Sequence, residues 1–262
     1  MLKSDSHAAV AGVDAVALKP AEHDVDRIPD LHAGVERVVV DYEGREHLPD
    51  FDALAALAAD REVRVTTPLR ADGFDPLGDD SLADALPDEL GRVFVAGHGA
   101  YLSEEEGDRA IAPRLGAATA EDGDAWVGTE GVERAALATG ATQFELLSRT
   151  TETDVQSLRA AGFDGDVAVY APTVLSGEED EILDAVGAYT ARRGPVRRAL
   201  PEDAATDGSA EGRAREVLSK AVRDYALVGD HETVAGRVQS LRDAGVDHVV
   251  AYPAAGLASF LE

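Results

Sequence analysis

The chain has 262 residues, 51 acidic against 24 basic side chains, a net charge of −27 and no cysteine. Disulfides, thiolate metal sites, iron–sulfur clusters and cysteine nucleophiles are therefore excluded, and a nucleic-acid partner is disfavoured because a phosphate backbone needs a basic footprint. The length suits a single barrel domain of roughly 250 residues.

Only Lys3, Lys19 and Lys220 are lysines; the other basic residues are arginine. The acidic charge is spread along the whole chain, the pattern of a halophile's solvated surface, where concentrated salt relieves self-repulsion. Residues 1–11 have no signal-peptide layout and are expected to be flexible. No run approaches the roughly 20 apolar residues of a membrane span, so a cytoplasmic protein is expected.

Short β-branched runs recur at 13–18 (VDAVAL), 37–42 (RVVVDY), 62–67 (EVRVTT), 92–97 (RVFVAG), 125–128 (AWVG), 143–147 (QFELL), 166–171 (DVAVYA) and 247–252 (DHVVAY). Near-continuous apolar runs suit strands covered on both faces, and helical patterns such as 51–59, 179–192 and 233–244 lie between them. Eight such units predict an α/β fold, a (β/α)8 TIM-type barrel in one domain spanning 1–262. Two regions break the rhythm. Residues 72–87, rich in Asp, Gly and Pro, read as a loop; residues 201–212 read as an exposed linker before the last helices.

In such a barrel the carboxyl ends of the strands face the active site. Those ends supply Lys19; Asp41 and Glu43; Thr66 and Thr67; His98; Thr129 and Glu130; Ser148 and Arg149; Tyr170; and Tyr252. Gly128 and Gly131 flank a strand-to-helix turn whose amides could receive an anion, or simply a tight turn. His98 is a candidate proton donor, or an exposed loop histidine. Asp41 and Glu43, one residue apart on an extended strand, would share a face and permit acid–base work. Lys19 is a candidate anion anchor or Schiff-base former. No HxH or HExxH spacing is present, and no metal site is assigned.

Two stretches carry a family resemblance: "AWVGTEGVERAALATGATQFELLSRTTETDVQSLRAAGFDGDVAVYAP" at 125–172 and "YALVGDHETVAGRVQSLRDAGVDHVVAYPAAG" at 225–256. They resemble the luciferase-like flavin and deazaflavin oxidoreductases, among them the archaeal methylenetetrahydromethanopterin reductases, and with the acidic surface point to a haloarchaeal member. In the second stretch Gly229, Asp230, Glu232, Val234 and Arg237 match the family's helix start, although Asp230 would also serve as an N-cap. The resemblance covers about half the chain and implies a barrel that binds coenzyme F420 or FMN and transfers a hydride to a small substrate, often as a homodimer.

Carried over by position, Gly128, Thr129 and Gly131 would lie against the cofactor phosphate. Lys19, Thr66 and Thr67 would line the pocket, and His98 and Glu43 would be the catalytic candidates. The chain departs from the family in its first half, in its length, in its trimmed insertions and in Glu130, which puts a negative charge in the turn. Two other readings stand beside it: an inactive member acting as a binding or scaffold protein, and a metal- or lysine-dependent lyase using Lys19, Asp41, Glu43 and His98.

Overall fold

The computed structural model describes residues 10–69, 82–96 and 104–261. Its strands are β1 (Ala15–Leu18), β2 (Arg37–Val40), β3 (Glu62–Pro68), β4 (Gly91–Val95), β5 (Trp126–Gly128), β6 (Thr142–Leu146), β7 (Val167–Leu175), β8 (Leu227–Gly229) and β9 (His248–Pro253). All ladders are parallel. They run in sequence from β1 to β7, then from β7 to β9 and from β9 back to β1. The eight strands β1–β7 and β9 thus close a TIM-type barrel, and each coincides with one of the eight apolar runs.

A ninth strand stands outside that pattern. β7 continues past its last pair with β6, Leu146↔Tyr170, and its residues Thr173–Leu175 pair with β8. Between β7 and β8 the chain makes helices Glu179–Ala191, Gly194–Ala199 and Gly212–Tyr225, which bury Ile182, Leu183, Val186, Leu218 and Val222 in a core of their own. This excursion is a cap on the carboxyl end of the barrel. Residues 201–212, though mostly exposed, are tied to the cap: the Gly208 amide donates to Asp184 Oδ1 (2.8 Å) and Arg215 Nη1 to the Gly208 carbonyl (3.1 Å). Gly187 lets that segment cross its helix, since a Cβ there would stand 2.2 Å from the Thr206 carbonyl oxygen.

Residues 70–81, most of the expected 72–87 loop, lie outside the described residues, whereas Leu82–Ala85 forms a helical turn. At the other end, Val10 and Ala11, the last residues of the stretch expected to be flexible, are buried against helix His231–Asp243.

Alternation along each strand sends one set of side chains outward to the helices and the other into the barrel. Ala15, Ala17, Val39, Val93, Trp126, Phe144, Ala168, Tyr170 and Val250 form the inner cluster. The alanines of β1 and β7 leave the volume that Trp126 and Phe144 fill, with ring centroids 5.8 Å apart. Below them Trp126 stacks on His248 (5.4 Å) and carries the guanidinium of Arg64 at 4.7 Å.

Charged groups close this amino end. Arg37 Nε donates to Glu62 (2.6 Å), Arg64 bonds the same carboxylate, and Asp14 accepts the Val249 amide (3.0 Å). Burial opposes ionisation of Asp14 and Glu62. The bonds from His248 and Val249 to Asp14, and Arg64 and Arg37 beside Glu62, outweigh it and hold both carboxyls below their ordinary range.

This packing and charge have two measurable outcomes. Trp126→Ala removes the largest inner side chain and should cost about 3–5 kcal/mol, measured by denaturant unfolding. Because the Debye length shrinks from about 10 Å at 0.1 M to about 3 Å at 1 M salt, the melting temperature should rise steadily with potassium chloride; a flat or falling profile would refute the halophilic reading.

Candidate functional site

At the carboxyl end of the strands a cavity of about 230 Å3 opens between barrel and cap. Lys19, Asp41, Thr66, Gly128, Thr129 and Glu130 give it polar walls, while Phe144, Leu146, Tyr170 and the cap residue Tyr189 give it an aromatic and apolar side. Lys19 and Asp41 continue the inward alternation of Ala15–Ala17 and Arg37–Val39, which is why both turn toward the axis.

Asp41 is the electrostatic centre. Loss of hydration pushes its carboxyl up to about 7 from 3.8, and the neighbouring Glu43 and Glu22 push the same way, against Lys19 and a hydrogen bond from the Tyr170 hydroxyl (3.3 Å). Tyr170 is correspondingly raised well above 10 by burial and by the Asp41 charge, so it remains a donor. It stacks on Tyr252, with ring centroids 5.9 Å apart and planes 18° apart. The Tyr252 hydroxyl bonds Glu22, and Lys19 Nζ stands 3.4 Å from Glu22 and 5.0 Å from the Tyr252 ring centroid.

His23 fixes the rim. Its Nδ1 accepts the Lys19 amide (3.1 Å), which leaves Nε2–H to donate to the Pro253 carbonyl (3.2 Å). This clips the loop after β1 to the end of β9, above a ladder of two pairs.

Of the residues expected from the sequence, Lys19, Thr66, Gly128 and Thr129 meet in this cavity. Thr66 Oγ1 also accepts the Tyr42 amide (2.6 Å), fixing the loop that follows Asp41. Thr67 is fully buried, with its hydroxyl on the Val65 carbonyl (2.9 Å), and is not in the cavity wall; strand parity places it on the other face from Thr66. Glu43 is exposed and its carboxylate accepts the Ala21 amide (3.3 Å), so it acts on the cavity through charge while Asp41 lines it. His98 lies outside the described residues.

In the turn from Gly128 to Gly131 the Thr129 and Gly131 amides are engaged. Thr129 donates to the Phe144 carbonyl (3.0 Å), Gly131 to Glu133 Oε1 (3.2 Å) and Val132 to the Thr129 carbonyl (2.9 Å). Gly131 has φ 75°, the left-handed geometry of the tight-turn alternative, and Gly128 lets β5 lie close to β4, its Cβ position being 3.4 Å from the Phe94 carbonyl oxygen. Asp41, Glu22, Tyr252 and Tyr189 complete the site. Asp41 and Tyr252 are among the strand-end residues the sequence supplies, and period-two counting from Arg37 turns Asp41 inward. Nothing local marks Glu22 or Tyr189, which arrive from a loop and from the cap.

The Asp41 cavity shares Thr129, Glu130 and Leu146 with a neighbouring one of about 400 Å3, and together they reach the range of about 300–1,000 Å3 that ligand pockets usually enclose. The turn offers engaged amides and the carboxylate of Glu130 where a phosphate would sit. Of the expected cofactor-binding residues, Gly131 does not line this cavity. Nor does any group of three or more His, Asp or Glu among the described residues stand ready to hold a metal ion. Among them, too, no helix is long and apolar enough to cross a membrane.

Fold and mouth together define a TIM-type barrel with a half-buried carboxyl–tyrosine–lysine cluster beside a helical cap. The chain belongs to the Family of unknown function (DUF7388), whose model matches residues 8–260. No curated protein matches it. Among solved structures it is similar to the monooxygenase RslO1 from Streptomyces bottropensis, with 18% identity over 91% of each chain and a TM-score of 0.46. It is also similar to apo UGT2 of Phytolacca americana, with 16% identity over 83% of this chain and 50% of that one and a TM-score of 0.24. Likenesses this distant carry no functional argument.

The Asp41 environment has a measurable signature. With its carboxyl at about 7 when folded against 3.8 ordinarily, the folded protein holds this proton more tightly than the unfolded chain. The associated stability is present at low pH and is lost as pH rises from about 4 to 7. Asp41→Asn removes that loss and should gain on the order of 4 kcal/mol over the native protein at pH 8 and little at pH 4, read from paired unfolding curves.

Proposed function

We propose that the protein is an enzyme that moves a proton on a small carbonyl compound at the mouth of the barrel, with Asp41 as general base and acid. The carrying observation is a carboxyl at about 7 that lines a cavity, hydrogen-bonded to a tyrosine and close to a lysine. A group with that value is half ionised near neutrality, where proton transfer in both directions is efficient.

In this reading the Asp41 carboxylate takes a proton from the carbon beside the substrate carbonyl. The C–H electron pair becomes the enolate double bond, and the carbonyl π pair moves to oxygen. The Lys19 ammonium stabilises that oxyanion, and protonated Asp41 returns its proton to the carbon skeleton. Tyr170 donates to Asp41 Oδ2 and fixes its orientation, while Phe144 and Leu146 exclude water. The net change is an isomerisation, or an elimination if a leaving group stands on the next carbon.

The hydride-transfer reading that the family resemblance implies draws support from the stretch 125–172, which does build β5, β6 and β7 beside the mouth. The engaged turn amides and the Glu130 carboxylate beside them favour proton transfer over it.

Solvent deuterium incorporation into a panel of small ketones and aldehydes, followed by proton NMR, tests the proposal. Exchange should rise with pH through an inflection near 7, the value held by Asp41. Asp41→Asn should lower it by about 10²–10⁴-fold. Exchange that survives intact in Asp41→Asn would remove Asp41 from the chemistry.

A further inference from the structure

β6 turns Phe144 and Leu146 toward the barrel axis, so Gln143 and Glu145 face outward to the helices. Outward positions of a covered strand are ordinarily apolar, and on β2 and β3 they are: Val38, Val40, Val63 and Val65 belong to the outer core. Gln143 and Glu145 instead form the floor of the cavity of about 400 Å3 that adjoins the mouth. Its sides come from helices Glu133–Thr139 and Thr151–Ala160. Each gives a carboxylate and, one turn on, a leucine: Glu133 with Leu137, and Asp154 with Leu158.

The polar groups of this groove are acceptors in want of donors. Gln143 is only 2% exposed, and its amide nitrogen donates to the Ala136 and Ala141 carbonyls (3.2 and 2.6 Å). Those two carbonyls fix which end of the amide is nitrogen, and Oε1 accepts no hydrogen bond among the described residues. Glu145 is half-buried, and neither it nor Asp154 has a side-chain hydrogen bond or an ion pair among the described residues. Loss of hydration and the charges of Asp154 and Glu133 push the Glu145 carboxyl up. Arg193 is the one basic residue on the wall among those described, and it stands 3.9 Å from Glu130, which answers its charge. Glu133 accepts the Gly131 amide (3.2 Å). Leu137, 40% exposed, is the one large hydrophobic left open among the described residues.

A buried acceptor without a donor is costly, and here it lies beside two unpaired carboxylates and an uncovered leucine. Such a groove suits a ligand that brings positive charge, several N–H donors and an alkyl surface together. The carboxylates are not grouped to hold a metal ion, so the cation that fits is organic. We propose that this groove binds a small linear alkylamine in its ammonium form, with its N–H donors shared among Glu145, Asp154 and Gln143 Oε1 and its chain along Leu137 and Leu158.

An ammonium has three donors and no acceptor, which matches a wall that offers acceptors and lacks donors. Hydrogen bonds between charged partners are the stronger kind, and the chain adds the burial of each methylene against the leucines. The site lies on the outer face of β6 and stands independently of the proton-transfer reading, which concerns the inner face and Asp41.

The test titrates the full-length protein with n-butylammonium chloride by calorimetry at constant ionic strength, with 1-butanol, methylammonium and potassium ions as comparisons. Saturable binding of n-butylammonium is expected. Butanol, which lacks the charge, and methylammonium, which lacks most of the chain, should each bind about tenfold more weakly or worse. Glu145→Gln should weaken n-butylammonium binding by about tenfold. Asp154→Asn, at an exposed position that folding does not depend on, should weaken it several-fold. Asp41→Asn should bind n-butylammonium as the native protein does, so this site and the proton-transfer claim are read separately; weakened binding in Asp41→Asn would move the amine to the other cavity and overturn the assignment. The proposal is equally overturned by no saturable binding, by equal affinity for potassium ions or butanol, or by affinity unchanged in both Glu145→Gln and Asp154→Asn.

Discussion

The ring contacts of Trp126 with Phe144 and of Phe144 with Tyr170 inside the barrel are the constraint on which the site depends. A parallel barrel of eight strands has an interior just wide enough to be filled by side chains. Here the filling is uneven: alanine at 15, 17 and 168 faces large rings from β5, β6 and β7. The rings thus form a solid floor below the mouth, and Phe144 and Tyr170 are at once the top of the core and the base of the cavity. Asp41 consequently sits on an apolar floor that hydrates it poorly, with one tyrosine hydroxyl as a direct partner. That is why its proton is held so firmly.

The eight barrel strands were legible because each is a short β-branched run buried on both sides, and such runs have few other ways to fold in a chain of alternating helical patterns. β8 was not, because its three residues gain meaning only from the continuation of β7 against which they lie. The cap was hidden for a related reason. Its helices read as ordinary crossover helices, and what sets them apart is that they pack on one another and form a separate core.

At the site, sequence position located the mouth while parity within strands decided who faces it. Thr66 and Thr67 are adjacent and turn to opposite sides; Asp41 lines the cavity and Glu43 binds the Ala21 amide beside it. The glycine turn shows the limit of motif reading. Two glycines at a strand-to-helix junction suit an anion cradle and a tight turn equally, and only the Phe144 carbonyl and the Glu133 carboxylate, which occupy the amides, tell the two apart. Asp230, matched in the family-like ending, does cap its helix, accepting the Thr233 amide at 2.9 Å, so helix-end chemistry accounts for that part of the match.

The cap leaves the barrel along β7 and returns along β8, with Leu175 paired to Gly229 at its base. Two chain ends held side by side are the attachment an inserted module needs. The roughly fifty residues between them can therefore lengthen, shorten or be exchanged without altering a single rung of the eight-stranded cylinder. The entrance to the mouth is thus shaped in part by a piece that joins the cylinder at a single edge, while the strand ends beneath it keep a geometry of their own.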